Sequence, residues 1–176
     1  MTTAPIPIRR LVLLLGFMGC GKTTVGRLLA RRLGWAFVDL DEEIERRQGR
    51  TIRQIFEENG EPYFRDAERT LLAELLRRGQ QESLVVALGG GTPAQPGSLE
   101  LLRDHGGITI WLDCPLEELR RRCQGMTQRP LFKDTASFRA LFEQRVPFYR
   151  QSDFRVAADR PDPQSVVEDI LQCVKF

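Results

Sequence analysis

Lysine is scarce in this 176-residue chain: Lys22, Lys133 and Lys175 stand alone among 26 basic residues, so the other 23 are arginine. Against 24 acidic residues this leaves a formal net charge of +2, a balance that argues against bulk nucleic-acid or membrane-surface binding. Histidine occurs once, and Cys20, Cys114, Cys123 and Cys173 form no C-x-x-C pair. Neither a zinc set nor a disulfide framework is expected, and a reduced, cytoplasmic setting is. No apolar run approaches the roughly 20 residues of a membrane helix. Arg9-Arg10 before Leu11 to Leu15 imitates the start of a signal peptide, but the run stops there and no small-residue cleavage site follows. Internal repeats and low-complexity segments are missing too. The length suits one domain over 1–176.

What is present begins with Lys22. It belongs to Gly16-Phe17-Met18-Gly19-Cys20-Gly21-Lys22-Thr23, a full match to G-x-x-x-x-G-K-[ST], preceded by the apolar run Leu11 to Leu15. Thr24 to Leu33 follows with Val25, Leu28, Leu29 and Leu33 at helical spacing and Gly34 at its end. A strand that hands a glycine turn to a helix N-terminus is the context in which backbone N–H groups converge on a phosphate. The glycines allow positive φ and close approach of the backbone to a polyphosphate. Lys22 can reach the β- and γ-phosphates of ATP, and the Thr23 hydroxyl can ligate Mg²⁺. Gly19, Cys20, Gly21, Lys22, Thr23 and Thr24 are therefore candidate nucleotide contacts. Cys20 is either a reactive thiol near a helix N-terminus or a small residue that fills the loop.

Further along, Ala36 to Asp39 reads as a strand, and Leu40-Asp41 opens an acidic helix to about Gln48. Thr51 to Gln54 fits a capping box for a short helix closed by Asn59-Gly60, and Pro62 begins a longer one to about Arg78. Leu84 to Leu88 is an unalternated apolar strand ending in Gly89-Gly90-Gly91. A helix near 98–105, a strand over 108–113 and a helix over 116–123 follow. A lid-like loop is expected over about 124–136, then a helix over about 137–150 with a bend at Pro147, a strand over 154–157 and a final helix over 163–174. Five strands alternating with helices predict an α/β fold: a three-layer α/β/α arrangement around a parallel five-stranded sheet. Ligands gather at the carboxyl ends of such strands.

At those ends stand Asp39 and Asp41. Asp39 is a candidate for the magnesium shell, directly or through water; Asp41 either takes or orients a hydroxyl proton or caps the acidic helix. Three consecutive glycines after a buried strand suit a backbone that substrate approaches closely, and the bland alternative is a flexible turn.

Together these residues resemble the shikimate kinase family. The phosphate loop, Asp39-Leu40-Asp41, Phe64-Arg65, Leu88 to Thr92, Arg129-Pro130-Leu131 and Arg145-Val146-Pro147-Phe148-Tyr149-Arg150 occur in its order and approximate spacing, covering Leu11 to Val174. The resemblance implies transfer of the γ-phosphoryl of ATP to the 3-hydroxyl of shikimate, with substrate-binding helices over about 41–78 and a lid over about 124–136. It implies that Arg65 and Arg145 hold the shikimate carboxylate, a task suited to a guanidinium fork. Asp41 meets the reacting hydroxyl, Gly89, Gly90 and Gly91 receive the ring, and Arg129 neutralises the transferring phosphoryl. Arg122 matches an arginine stacked on adenine, and the region 160–163 matches the loop on the base's other face. Expected with these are a monomer and no nucleic-acid or membrane partner. Arg31, Arg32, Arg46, Arg47, Arg77, Arg78, Arg120 and Arg121 are expected to be solvated surface.

Overall fold

The structure is a computed structural model that describes residues 11–124 and 135–176. Its centre is β1, Leu11–Leu15, in which every residue is buried. Five consecutive buried aliphatic side chains require cover on both faces, the condition of an inner strand in a parallel sheet. β1 lies between β3, Leu84–Ala87, and β4, Ile108–Asp113, with β2, Ala36–Asp39, and β5, Phe154–Ala157, at the edges. All four pairings are parallel, in the order β2-β3-β1-β4-β5. The chain leaves β1 towards β2 on one side and leaves its neighbour β3 towards β4 on the other, so the connections part there and open a crevice at the carboxyl edge. Leu13, Leu14 and Leu15 have no exposed surface; truncating one to alanine would cost about 2–5 kcal/mol.

The helices form where the residues predict. α1, Lys22–Leu33, packs closely because Gly26 has no side chain: a Cβ there would lie 2.4 Å from Cε2 of Phe37. Gly34, at φ 70°, ends α1 with its N–H turned back to Ala30 and Arg31. α2, Leu40–Gln48, is followed by α3, Ile52–Arg78, which opens on the capping box of Thr51 and Gln54. The two helices expected on either side of Gly60 are there, meeting at a kink at that residue, whose φ of 81° only glycine adopts readily. A short 3-10 turn, Thr92–Ala94, then α4, Ser98–Asp104, and α5, Leu116–Cys123, lead to α6, Thr135–Tyr149, and α7, Pro163–Cys173. α6 begins two residues early, so Thr135 and Ala136 belong to a helix and not to the expected loop. It runs through Pro147 to Tyr149. The remainder of that loop, including Gly125, Arg129, Pro130, Leu131 and Lys133, lies outside the described residues, as do residues 1–10.

Candidate active site

The phosphate loop has the backbone its glycines imply. Gly16, Gly19 and Gly21 have φ of 145°, 79° and 96°, and a Cβ on Gly16 or Gly19 would strike Leu112 O at 2.8 Å or Cys123 Sγ at 2.7 Å. Gly21 precedes α1 without a capping side chain, leaving the first N–H groups of the helix to an anion. Lys22 folds across its own loop, its Nζ donating to Gly16 O at 2.8 Å and Phe17 O at 3.1 Å. Phe17 anchors the loop, meeting Phe138 and Phe142 of α6 edge-on with centroids 5.1 and 5.4 Å away. Cys20 is only 1% exposed, which favours the loop-filling reading over a reactive one.

Beside the loop, Thr23 Oγ1 donates to Asp39 Oδ2 at 2.5 Å. The other Asp39 oxygen accepts from the N–H groups of Asp41 and Glu42, so Asp39, and not Asp41, caps α2. β2 ends at Asp39. Asp41 thus reaches the crevice from the first turn of a helix and not from a prolonged strand. Its Oδ1 lies 2.8 Å from the position of a Cβ on Gly89. Oxygen donors of this kind suit Mg²⁺. Among the described residues no group of three or more His, Cys, Asp or Glu gathers to hold a metal, so an ion here would depend on phosphate and water for its remaining ligands.

At the other end the triple glycine is walled by side chains. A Cβ on Gly89 would lie 2.9 Å from Glu68 Oε1 and from Thr92 Oγ1; one on Gly90, 3.2 Å from Arg145 Nη1 and 3.6 Å from Gly16 O. On Gly91 it would lie 3.0 Å from Arg65 Nη2 and 3.1 Å from Arg145 Nη2. The glycines therefore matter through close approach; none of the three has positive φ. Arg65 is oriented by Glu68 at 2.8 Å and Glu61 at 3.1 Å. Arg145 is 7% exposed and lies over the Phe17 ring, 5.6 Å from its centroid. Burial lowers its pKa, with Tyr149 opposing the shift and Arg65 adding to it; a guanidinium remains charged regardless. Glu68 and Glu61 pair with Arg65, whereas Arg145 makes no described ion pair, so its buried charge is the one this wall offers to an organic acid.

The opposite end is built around Arg122. Its Nε donates to Glu118 Oε1 at 2.6 Å and its Nη1 to Ala158 O at 3.0 Å, with longer contacts to Gly19 O and Arg160 O. Hydrogen bonds from Arg121 and then Arg122 hold the Glu118 carboxyl down at about 2. A cleft of about 1050 Å³ runs from Arg160 and Pro163, past Lys22 and Asp41, to Arg65 and Arg145. All described residues expected in the site border it, Gly19 to Thr24, Asp39 and Gly89 to Gly91 included. Arg121 stands at its rim as the exposed surface residue expected, paired with Glu118. Arg32, Arg46, Arg47, Arg78 and Arg120 are indeed in ion pairs at the surface.

Sequence reasoning missed Glu68 and Tyr149. Glu68 occupies the buried stripe of α3 with Phe64, Leu71, Leu72 and Leu75. A carboxylate in an apolar stripe signals a buried partner, so the clue was there. Tyr149 lay within a quoted motif but had no assigned role; its hydroxyl donates to Gly90 O at 2.5 Å.

Comparison with known proteins agrees with this geometry. The shikimate kinase family profile matches residues 18–175. A shikimate kinase of Persephonella marina is 43% identical over 163 residues, covering 92% of this chain and 97% of that protein. The structure of shikimate kinase from Acinetobacter baumannii in complex with shikimate superposes with a TM-score of 0.86 at 38% identity, covering 94% of this chain and 93% of that one. A gluconokinase from Sinorhizobium meliloti shares the fold at a TM-score of 0.58 and 18% identity, covering 93% and 91%.

Proposed function

The chain belongs to the shikimate kinase family, and on that premise we propose how its residues divide the work. The reaction is transfer of the γ-phosphoryl group of ATP to the 3-hydroxyl of shikimate. The observation that carries the division of roles is the meeting of Arg65 and Arg145 at Gly91, in the cleft that also holds Lys22 and Asp41.

The N-terminal amides of α1 and the glycine backbone bind the phosphates, and Lys22 leaves Gly16 O and Phe17 O to meet the β- and γ-phosphates. Arg122 supports the adenine. Arg65 and Arg145 take the carboxylate of shikimate in forked hydrogen bonds, each contributing about 1.5–3 kcal/mol. Gly89, Gly90 and Gly91 receive the ring with main chain alone. Asp41 accepts or orients the proton of the attacking hydroxyl as it moves in line with the γ-phosphorus. Arg129 meets the transferring phosphoryl in this reading, where a cation would stabilise charge on the equatorial oxygens. The segment 124–136 acts as the lid in this reading, and the helices over 41–78 carry the acceptor.

Mg²⁺ belongs to the proposal. Thr23 and Asp39 would hold it, directly or through water, and the ion would neutralise charge on the β- and γ-oxygens. We also read the chain as a single-domain, cytoplasmic monomer without a nucleic-acid or membrane partner, supported by its near-balanced charge. No helix among the described residues is long and apolar enough to cross a membrane.

The test is ADP release measured with shikimate, quinate, gluconate and nucleoside monophosphates as acceptors. Turnover with shikimate is expected. Turnover with another acceptor and none with shikimate would reassign the enzyme, and ATP binding without turnover on any would make it a nucleotide-binding regulator.

A further inference from the structure

Arg145 is the most buried arginine among the described residues of the site, and its setting differs from that of Arg65. Arg65 has two carboxylates on its own helix, Glu61 and Glu68. Arg145 makes no described ion pair; it has Phe17 beneath it and Tyr149 one turn along α6. Tyr149 is fully buried, and its ring leans on Trp111 of β4 with centroids 6.1 Å apart. The hydroxyl donates to Gly90 O at 2.5 Å, the short end of the O–H···O range. Its oxygen keeps lone pairs that can accept from a guanidinium, and that of Arg145 is close enough to interact with it electrostatically. Arg145 Nη1 itself lies 3.2 Å from the Cβ position of Gly90. The phenol oxygen thus bonds the glycine backbone and neighbours the guanidinium, the two components that meet the acid.

We propose that Tyr149 is a positioning residue for acid recognition: its hydroxyl fastens the Arg145 guanidinium to the Gly90 carbonyl, so that arginine and glycine loop present one rigid surface to the substrate carboxylate. This rests on the reading that Arg145 binds that carboxylate. A long side chain loses rotamer freedom when it clamps a ligand, and a side chain already immobilised avoids part of that loss. Tyr149 supplies the immobilisation where no carboxylate does so. A buried phenol also suits the position electrostatically. Burial pushes its pKa well above the ordinary tyrosine value, so it stays a neutral donor and leaves the positive charge of Arg145 for the substrate.

Tyr149→Phe keeps the ring against Trp111 and removes only the oxygen. Titration calorimetry should follow shikimate binding to wild type, Tyr149→Phe, Arg145→Met and the double variant, with Mg-ADP affinity and thermal melting alongside. Tyr149→Phe should weaken shikimate about tenfold, as expected for one hydrogen bond to a charged group, while Mg-ADP affinity stays within about twofold. In the Arg145→Met background the tyrosine substitution should add nothing, since its effect passes through Arg145. A carboxamide analogue of shikimate should bind wild type and Tyr149→Phe equally.

Unchanged shikimate affinity in Tyr149→Phe overturns the proposal. So does an equal loss for both ligands, a full tenfold loss in the Arg145→Met background, or a variant that fails to fold. A wild-type protein that binds no shikimate would overturn the reading of the site itself, which separates the two failures.

Discussion

The buried carboxylate of Glu68 accepts from Arg65 Nη1 at 2.8 Å with one oxygen and from Thr92 Oγ1 at 2.6 Å with the other. One residue therefore joins α3, the turn after β3 and the guanidinium that faces Gly91. Glu68→Gln keeps the shape but loses the charge that holds Arg65. Shikimate KM should rise about tenfold with ATP KM unchanged, checked by steady-state kinetics with each substrate varied. Glu68→Ala should also lower stability by about 1–3 kcal/mol, read from urea denaturation, because Thr92 and Arg65 lose their partner.

Gly91→Ala probes the same wall from the backbone side. The added methyl would lie 3.0–3.2 Å from both guanidinium groups, and Arg145 is too enclosed to swing away. A rise of about tenfold in shikimate KM with an unaltered ATP KM is expected. A normal shikimate KM would mean that the arginines yield without losing the acid.

Asp41→Asn separates binding from chemistry. The amide can still hydrogen-bond a hydroxyl but cannot take its proton, so kcat should fall by about 10²–10⁴ while shikimate affinity changes by only a few-fold. Single-turnover kinetics beside calorimetry would measure both. If the two quantities fall together, Asp41 is a binding residue and another group handles the proton.

Thr23→Ala removes the hydroxyl that donates to Asp39. The Mg²⁺ concentration for half-maximal turnover should rise about tenfold or more, and chelation of the ion should abolish wild-type activity. Wild-type turnover that persists in excess chelator would remove the metal from the proposal.

Cys114 gives the alkaline limb of stability. Burial pushes its thiol from the ordinary 9.0 up to about 12. Above pH 9 the unfolded chain releases this proton while the folded chain keeps it, so stability falls as pH rises from 9 towards 12. Cys114→Ala should flatten that limb in urea midpoints taken across the range. An identical slope in the variant would assign the loss to other groups.

Much of this protein was legible before any coordinates, because the deciding physics is local. Unalternated aliphatic runs describe buried parallel strands, and the phosphate loop's glycines correspond to positive φ. The capping box at Thr51 and Gln54 specifies a helix start within four residues. Lys22 and Asp41 were readable as cleft residues from the phosphate loop and the end of β2, whereas Arg65 and Arg145 came only with the family resemblance; all four line the same cleft.

Pairing and burial across long separations were not readable. That Asp39 both caps α2 and meets Thr23, that Glu68 turns a core position into an anchor for Arg65, and that Tyr149 reaches Gly90 are contacts between distant stretches of chain. Composition and spacing determine which elements form and what chemistry they carry. Only the packed sheet, which sets α3, α6 and the glycine turn against one another, decides which polar groups are sealed from water and must find partners there.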